Sequence, residues 1–128
     1  MSLLLDTQAL LWFVLDDTRL SNEARERITL TDTPVLVSSA SLWEIAIKIS
    51  LGKYELSKPF GEFWNDQFNI NKFTLLPITV SHAAQVVELP FHHRDPFDRL
   101  IIAQALVEGV SVAGNDAVFD KYGVERIW

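Results

Sequence analysis

Short apolar runs alternate along this chain with longer stretches in which apolar residues recur at helical spacing. Leu3–Leu5 and residues 34–38 and 110–113 are short and mostly apolar, which predicts buried strands. Residues 74–77 resemble a strand in the same way. Because strands alternate with helices throughout, the pattern predicts the α/β fold class with a largely parallel sheet.

The predicted helices fill the segments between these strands. A stripe of apolar residues at i, i+3, i+4 and i+7 begins at Leu42 and marks an amphipathic helix that ends near Gly52. This pattern puts Glu44 in the first turn of that helix. Another helical pattern follows Asp6, and the remaining ones cover residues 21–30, 60–68, 81–87 and 96–108.

Length and composition predict one folded domain spanning residues 1–128. Hydrophobic residues make up 48% of the chain and charged residues 22%, which is typical of a globular protein. There are no cysteines, so disulfides and cysteine chemistry are excluded. Polar residues interrupt the apolar N-terminal stretch, and no apolar run reaches the roughly 18–20 residues that span a bilayer. We therefore expect a cytoplasmic, soluble protein without a membrane partner.

Acidic residues at predicted strand ends and helix starts are the main candidates for chemistry. Asp6 follows the first strand and Asp116 follows residues 110–113, while Glu44 and Asp98 begin helices. Ligands of open α/β sheets bind beyond the carboxyl ends of the strands, where these acids would converge. Their mutual repulsion is costly unless a divalent cation or protonation relieves it. Oxygen-only ligation favours Mg²⁺ or Mn²⁺ over Zn²⁺.

Each acid also has a structural explanation. Asp6 and Asp116 are suited to capping the helices that follow them, and Ser41-x-x-Glu44 matches a capping box. Asp98 is suited to complementing a helix dipole. Asp95 precedes Pro96, which fits the first position of a helix, so Asp95 is predicted at the N-cap and Asp98 one turn in, where it can face a metal.

Other chemistries find little support in the sequence. His92 and His93 are adjacent, so they cannot share a metal across one helix turn, and they are expected to be exposed loop residues. No nucleophile elbow or glycine-rich phosphate-binding loop is present. The net charge of −6 opposes a simple polyphosphate-binding surface. A nucleic-acid substrate would therefore need a bound cation.

The whole chain resembles PIN-domain ribonuclease toxins of the VapC type. The resemblance is carried by residues 4–12, 37–48, 93–105 and 115–119, and residues 122–128 look like the closing strand of this group. It implies a three-layer α/β/α PIN-like fold with a central, mainly parallel sheet. It also implies that four acids hold one or two Mg²⁺ or Mn²⁺ ions and that the protein hydrolyses RNA phosphodiester bonds. The acids in question are Asp6, Glu44, Asp98 and Asp116.

The same resemblance implies partners and leaves alternatives. Such toxins are held by a cognate antitoxin protein and tend to form homodimers. Trp12 and Trp43 are candidates for an antitoxin-docking groove, and core packing explains the same residues at least as well. The alternatives are a PIN-type nuclease in RNA processing and a catalytically silent partner-binding module. One departure concerns Gly114, because the family usually carries Thr or Ser there. Residues that could replace the missing hydroxyl are Thr7, Ser38, Ser39 and Asn115.

Overall fold

A five-stranded parallel sheet forms the centre of the fold. In the computed structural model, which describes residues 2–128, the strand order is β3-β2-β1-β4-β5. Every strand pairing is parallel, as the sequence predicts for the sheet as a whole. The strands are β1 (Leu3–Leu5), β2 (Val35–Ser38), β3 (Phe73–Leu76), β4 (Ser111–Ala113) and β5 (Arg126–Ile127).

Helices cover both faces of this sheet and complete the three predicted layers. They are α1 (Thr7–Val14), α2 (Asn22–Leu30), α3 (Ser39–Ser50), α4 (Phe60–Asn71), α5 (Val80–Glu88) and α6 (Pro96–Glu108), and a 3-10 helix (Ala117–Tyr122) precedes β5. Residues of α1, α2, α3 and α4 pack in one apolar core, and residues of α5 and α6 in another. A parallel sheet needs this double cover because its strands are apolar on both sides.

The strand β1 contributes side chains to both apolar cores. Leu3 and Leu5 pack with the α1–α4 core, whereas Leu4 packs with the α6 core. Successive side chains of a strand point to opposite faces, so a run of three leucines supplies both layers. No helix in residues 2–128 is long and apolar enough to cross a membrane.

The start of α3 differs from the sequence prediction. β2 ends at Ser38 and α3 begins at the next residue, with Ser38 as its N-cap. The prediction that Glu44 lies in the first turn is wrong, because Glu44 is the sixth residue of α3. The predicted capping box does not form either. Ser41 is buried inside the helix and its hydroxyl accepts a hydrogen bond from Thr7 Oγ1 at 3.0 Å.

The predicted bounds of α6 are confirmed at both ends. Asp95 is the N-cap, and its Oδ1 accepts hydrogen bonds from the backbone N–H groups of Phe97 at 2.9 Å and Asp98 at 3.1 Å. Pro96 occupies the first turn, where the N–H that it lacks is not needed. Gly109 ends the helix at φ 67°, a left-handed conformation that glycine adopts without steric cost.

Replacement of Leu4 tests the two-sided core. The side chain is fully buried in the central strand, so Leu4→Ala should lower the free energy of unfolding by about 2–5 kcal/mol in urea denaturation. Val87→Ala on α5 is the control, because Val87 is 81% exposed and its truncation should change little. Similar destabilisation by the two substitutions would contradict this description of the core.

Candidate functional site

The candidate site lies where the strand order reverses direction. Along the chain, β2 is added beside β1 and β3 beside β2, and the chain then returns to place β4 on the other side of β1. The carboxyl ends of β1 and β4 therefore diverge into helices on opposite faces, which is where open α/β sheets bind ligands. Asp6 directly follows β1, and Asp116 lies three residues beyond β4.

A cavity of about 230 Å³ at this edge brings the predicted acids together. It also contains Asp95 and Lys48, which the sequence did not single out as site residues. A larger cavity of about 580 Å³ lies at the opposite edge, but its only charged lining residues are Asp32 and Lys72. The residues lining the acidic cavity are Asp6, Thr7, Gln8, Glu44, Lys48, Asp95, Asp98, Asn115 and Asp116.

Asp6 is fixed at the centre of the cavity by its own backbone and by α1. Its N–H donates to Ala113 O at 3.0 Å, and its Oδ1 accepts from the N–H of Ala9 at 2.7 Å. Asp6 therefore caps α1, as the structural explanation predicted, and lines the cavity as well. Its side chain is nearly buried, and this burial raises its pKa to about 7, with smaller contributions from the charges of Asp116 and Glu44.

Gly114 leaves the space that the second oxygen of Asp6 occupies. A Cβ atom built on Gly114 would collide with Asp6 Oδ2. Two of the predicted substitutes for the missing hydroxyl, Thr7 and Asn115, line the cavity. Thr7 Oγ1 donates to Ser41, and Asn115 is exposed at the rim.

Glu44 forms an ion pair with Lys48 through one of its carboxylate oxygens, and its other oxygen has no hydrogen bond within residues 2–128. Its Oε2 accepts from Lys48 Nζ at 3.0 Å, one helical turn away. Burial acts to lower the pKa of Lys48, but the hydrogen bond to Glu44 and its charge outweigh it, so that pKa lies above its ordinary value. Glu44 Oε1 is buried, and nothing within residues 2–128 donates a hydrogen bond to it. An unpartnered buried carboxylate oxygen fits a cation ligand.

Asp98 is the second acid with a strongly altered pKa. Burial raises the pKa of Asp98 to about 7, and the negative charge of Asp95 is the next largest cause. Asp6, Glu44 and Asp116 also raise it, which places all these acids within electrostatic reach of one another. As the side chains stand, no three acids or histidines of the described chain are close enough together to hold a metal ion. Repulsion between carboxylates favours this separation.

Asp116 is more exposed than the other three acids of the predicted site. It lies at the solvent-exposed rim, and its Oδ1 accepts from the N–H of Val118 at 3.0 Å. It therefore caps the 3-10 helix, as the structural explanation predicted. Its side chain still lines the cavity.

His93 is a neighbour of the site that sequence reasoning missed. His92 is exposed as predicted, but the prediction for His93 is wrong, because its side chain is only 17% exposed. Its Nδ1 lies 2.7 Å from the Tyr122 hydroxyl and its Nε2 lies 3.7 Å from Asp98 Oδ2. Tyr122 is 29 residues away along the chain, so no local pattern indicates this contact.

The structure places Trp12 in the core and Trp43 at the surface, so the core-packing alternative is confirmed for Trp12 only. Trp12 is buried in the α1–α4 core and packs against Trp128, with ring centroids 5.8 Å apart. Trp43 is 62% exposed and packs edge to face on Phe97, with centroids 5.7 Å apart. Trp43 alone therefore remains a surface candidate for partner contact.

Comparison with known families agrees with this fold. The PIN domain family matches residues 3–125, so the chain belongs to the PIN domain family. No curated protein sequence matches it significantly.

Solved structures with a similar fold are distant in sequence. A chain of VapBC2 from Rickettsia felis has a TM-score of 0.74 at 13% identity, covering 98% of this chain and 97% of that chain. For VapBC from Salmonella typhimurium the TM-score is 0.73 at 19% identity, with 98% and 96% covered. For FitAcB from Neisseria gonorrhoeae it is 0.62 at 19% identity, with 97% and 95% covered. The resemblance to VapC-type PIN domains is therefore confirmed for the fold.

The raised pKa of Asp6 predicts a pH-dependent stability difference. Its pKa is 3.8 ordinarily and about 7 in the fold, so the folded chain keeps a proton that the unfolded chain loses between these values. The site thus destabilises the protein as pH rises through that window. In chelator, Asp6→Asn should match the wild type near pH 4 and exceed its unfolding free energy by about 1–4 kcal/mol above pH 7.

Asparagine keeps the oxygen that caps α1, so the fold should survive this substitution. Asp32→Asn is the matched control, because Asp32 is exposed at the opposite edge of the sheet. Denaturation curves across the pH range measure both differences. A pH-independent difference for Asp6→Asn would show that burial does not alter this carboxyl group.

Proposed function

We propose that the protein is a magnesium- or manganese-dependent endoribonuclease and the toxin of a bacterial toxin–antitoxin pair. The observation that carries the proposal is the convergence of carboxylates in one cavity at the switch point of a PIN-domain sheet. A site used only for folding would not need one buried and one partly buried acid that each have a pKa of about 7. The proposed ligands are Asp6, Glu44, Asp98 and Asp116.

The donor set fits a hard divalent cation. The acids offer oxygen ligands, and Glu44 Oε1 is buried without a hydrogen-bond donor. Oxygen ligation suits Mg²⁺ and Mn²⁺, and one or two ions would offset the burial and the mutual repulsion that raise the pKa values of Asp6 and Asp98. When bound, the cation supplies Lewis-acid activation of the phosphodiester and of water.

The residues of the chain have separate tasks in the proposed reaction. Asp6 is held by its cap to α1, so its free oxygen has a fixed direction. Lys48 holds Glu44 and is the only basic residue lining the cavity within the described chain. Its ammonium group is also suited to attract a phosphate. The net charge of −6 otherwise opposes an approaching RNA strand. The products would carry 5′-phosphate and 3′-hydroxyl ends.

Partner proteins are part of the proposal. Among the similar structures, VapBC2 from Rickettsia felis is bound to promoter DNA and VapBC from Salmonella typhimurium is bound to DNA, and another is a toxin–antitoxin complex from Klebsiella pneumoniae. This supports a cognate antitoxin for the present chain, and exposed Trp43 is the best candidate contact now that Trp12 is known to be buried. A homodimer is proposed on the family resemblance alone.

Substitution of two neighbouring acids tests the proposed ligands. Asp98→Asn should lower the rate of RNA cleavage in Mg²⁺ by about 100-fold or more, because metal stabilisation of a transition state amounts to several kcal/mol. Asp95→Ala should cost about 0.5–2 kcal/mol of stability through the lost cap and keep part of the activity. Asp32→Asn is the control for charge. Full activity of Asp98→Asn would remove it from the site.

Cation binding should also stabilise the fold directly. At a Mn²⁺ concentration about 100 times Kd, binding adds about 2.7 kcal/mol and should raise Tm by several degrees. The shift should disappear in the Asp6→Asn, Asp116→Asn double variant and persist in Asp32→Asn. A shift of equal size in the double variant would mean that the cation binds elsewhere.

A further inference from the structure

The loop between α5 and α6 is anchored by a buried arginine. Arg99 is 5% exposed, and its Nη1 donates to Pro90 O at 2.8 Å. Its Nη2 donates to Leu89 O at 3.3 Å and Val86 O at 3.4 Å. Three carbonyl groups thus satisfy a buried cation and fasten the start of the loop. The loop carries His93 toward the acidic cavity.

Tyr122 determines which nitrogen of His93 carries the proton. The Tyr122 hydroxyl accepts from the backbone N–H groups of His92 and His93, each at 3.2 Å. Arg99 Nη1 also donates to it at 3.4 Å, so its own proton can go only to the remaining neighbour in the described chain, His93 Nδ1 at 2.7 Å. Nδ1 is therefore the acceptor, and the neutral imidazole carries its proton on Nε2.

The protonated nitrogen is directed at Asp98. His93 Nε2 is buried and has no hydrogen-bond partner among residues 2–128. Asp98 Oδ2 lies 3.7 Å away, slightly beyond hydrogen-bond range. An unsatisfied buried N–H is costly, and a small rotation of the Asp98 carboxylate would satisfy it.

We propose that His93 is a positioning residue for Asp98. Tyr122 holds His93 in the tautomer with a proton on Nε2, and this N–H orients one oxygen of Asp98 so that the other faces the cavity and a divalent cation. The inference rests on the proposed function, since it assigns Asp98 a ligand role. Partners that fix ligand orientation in this way strengthen metal binding and are not themselves ligands.

The tautomer can be measured without metal or substrate. A long-range ¹H–¹⁵N correlation spectrum of the chain in chelator should show protonated Nε2 and unprotonated Nδ1 for His93. Tyr122→Phe removes the hydroxyl and keeps the ring, so the protonated Nδ1 form should appear. Protonated Nδ1 in the wild type, or no change in Tyr122→Phe, would overturn the proposal.

Metal affinity then tests the consequence. Glutamine can place an N–H near the position of Nε2, whereas asparagine reaches only that of Nδ1. His93→Asn should weaken Mn²⁺ binding by about 10-fold or more in titrations followed by electron paramagnetic resonance. His93→Gln should bind close to wild-type affinity. His92→Gln is the matched control on the exposed neighbour, and Tm values should confirm that each variant is folded.

The outcomes separate this inference from the proposed function. If the wild type binds Mn²⁺ and cleaves RNA but His93→Asn binds equally tightly, only the role of His93 fails. Equal weakening by asparagine and glutamine would mean that imidazole packing matters and the directed N–H does not, which also overturns it. Should the wild type neither bind Mn²⁺ nor cleave RNA, the proposed function and this inference fail together. If His93→Asn does not fold, the Mn²⁺ affinity of Tyr122→Phe decides, with weakening expected.

Discussion

The burial of neighbouring carboxylates at one edge of the sheet is the constraint on which the rest of the site depends. Burial is the largest cause of the raised pKa of both Asp6 and Asp98, and the charges of neighbouring acids raise each pKa further. Side chains on flexible loops would move apart to relieve this repulsion. The fold limits how far the acids can separate, because they lie at a strand end and on helices that two apolar cores hold in place.

The negative charges of the acids in the cavity are compensated unequally. Lys48 neutralises Glu44 on the α3 side, whereas no basic residue of the described chain lines the cavity beside Asp6 and Asp98. The site therefore has one balanced edge and one edge with excess negative charge. This asymmetry favours binding of a cation on the side of the two acids whose pKa is near 7.

Positions fixed by repetitive geometry could be predicted from the sequence, and contacts made across the fold could not. The convergence of Asp6 and Asp116 follows from parallel strands whose carboxyl ends meet at one edge. The sequence pattern puts Glu44 in the wrong turn of α3. The reason is that α3 starts directly at the end of β2, so no loop residues mark the start of the helix. The contact between His93 and Tyr122 joins segments 29 residues apart and leaves no periodic signal.

Gly114 and Asp6 approach each other so closely that the small volume between them has room for only one group. That volume is filled by a carboxylate oxygen of Asp6 and would otherwise be filled by the side chain of residue 114. A hydroxyl residue of the kind that the family usually carries there would not simply add a hydrogen-bonding group. The Asp6 carboxylate would have to shift to make room for it, so the residue at position 114 helps to set the direction in which Asp6 Oδ2 faces the cavity.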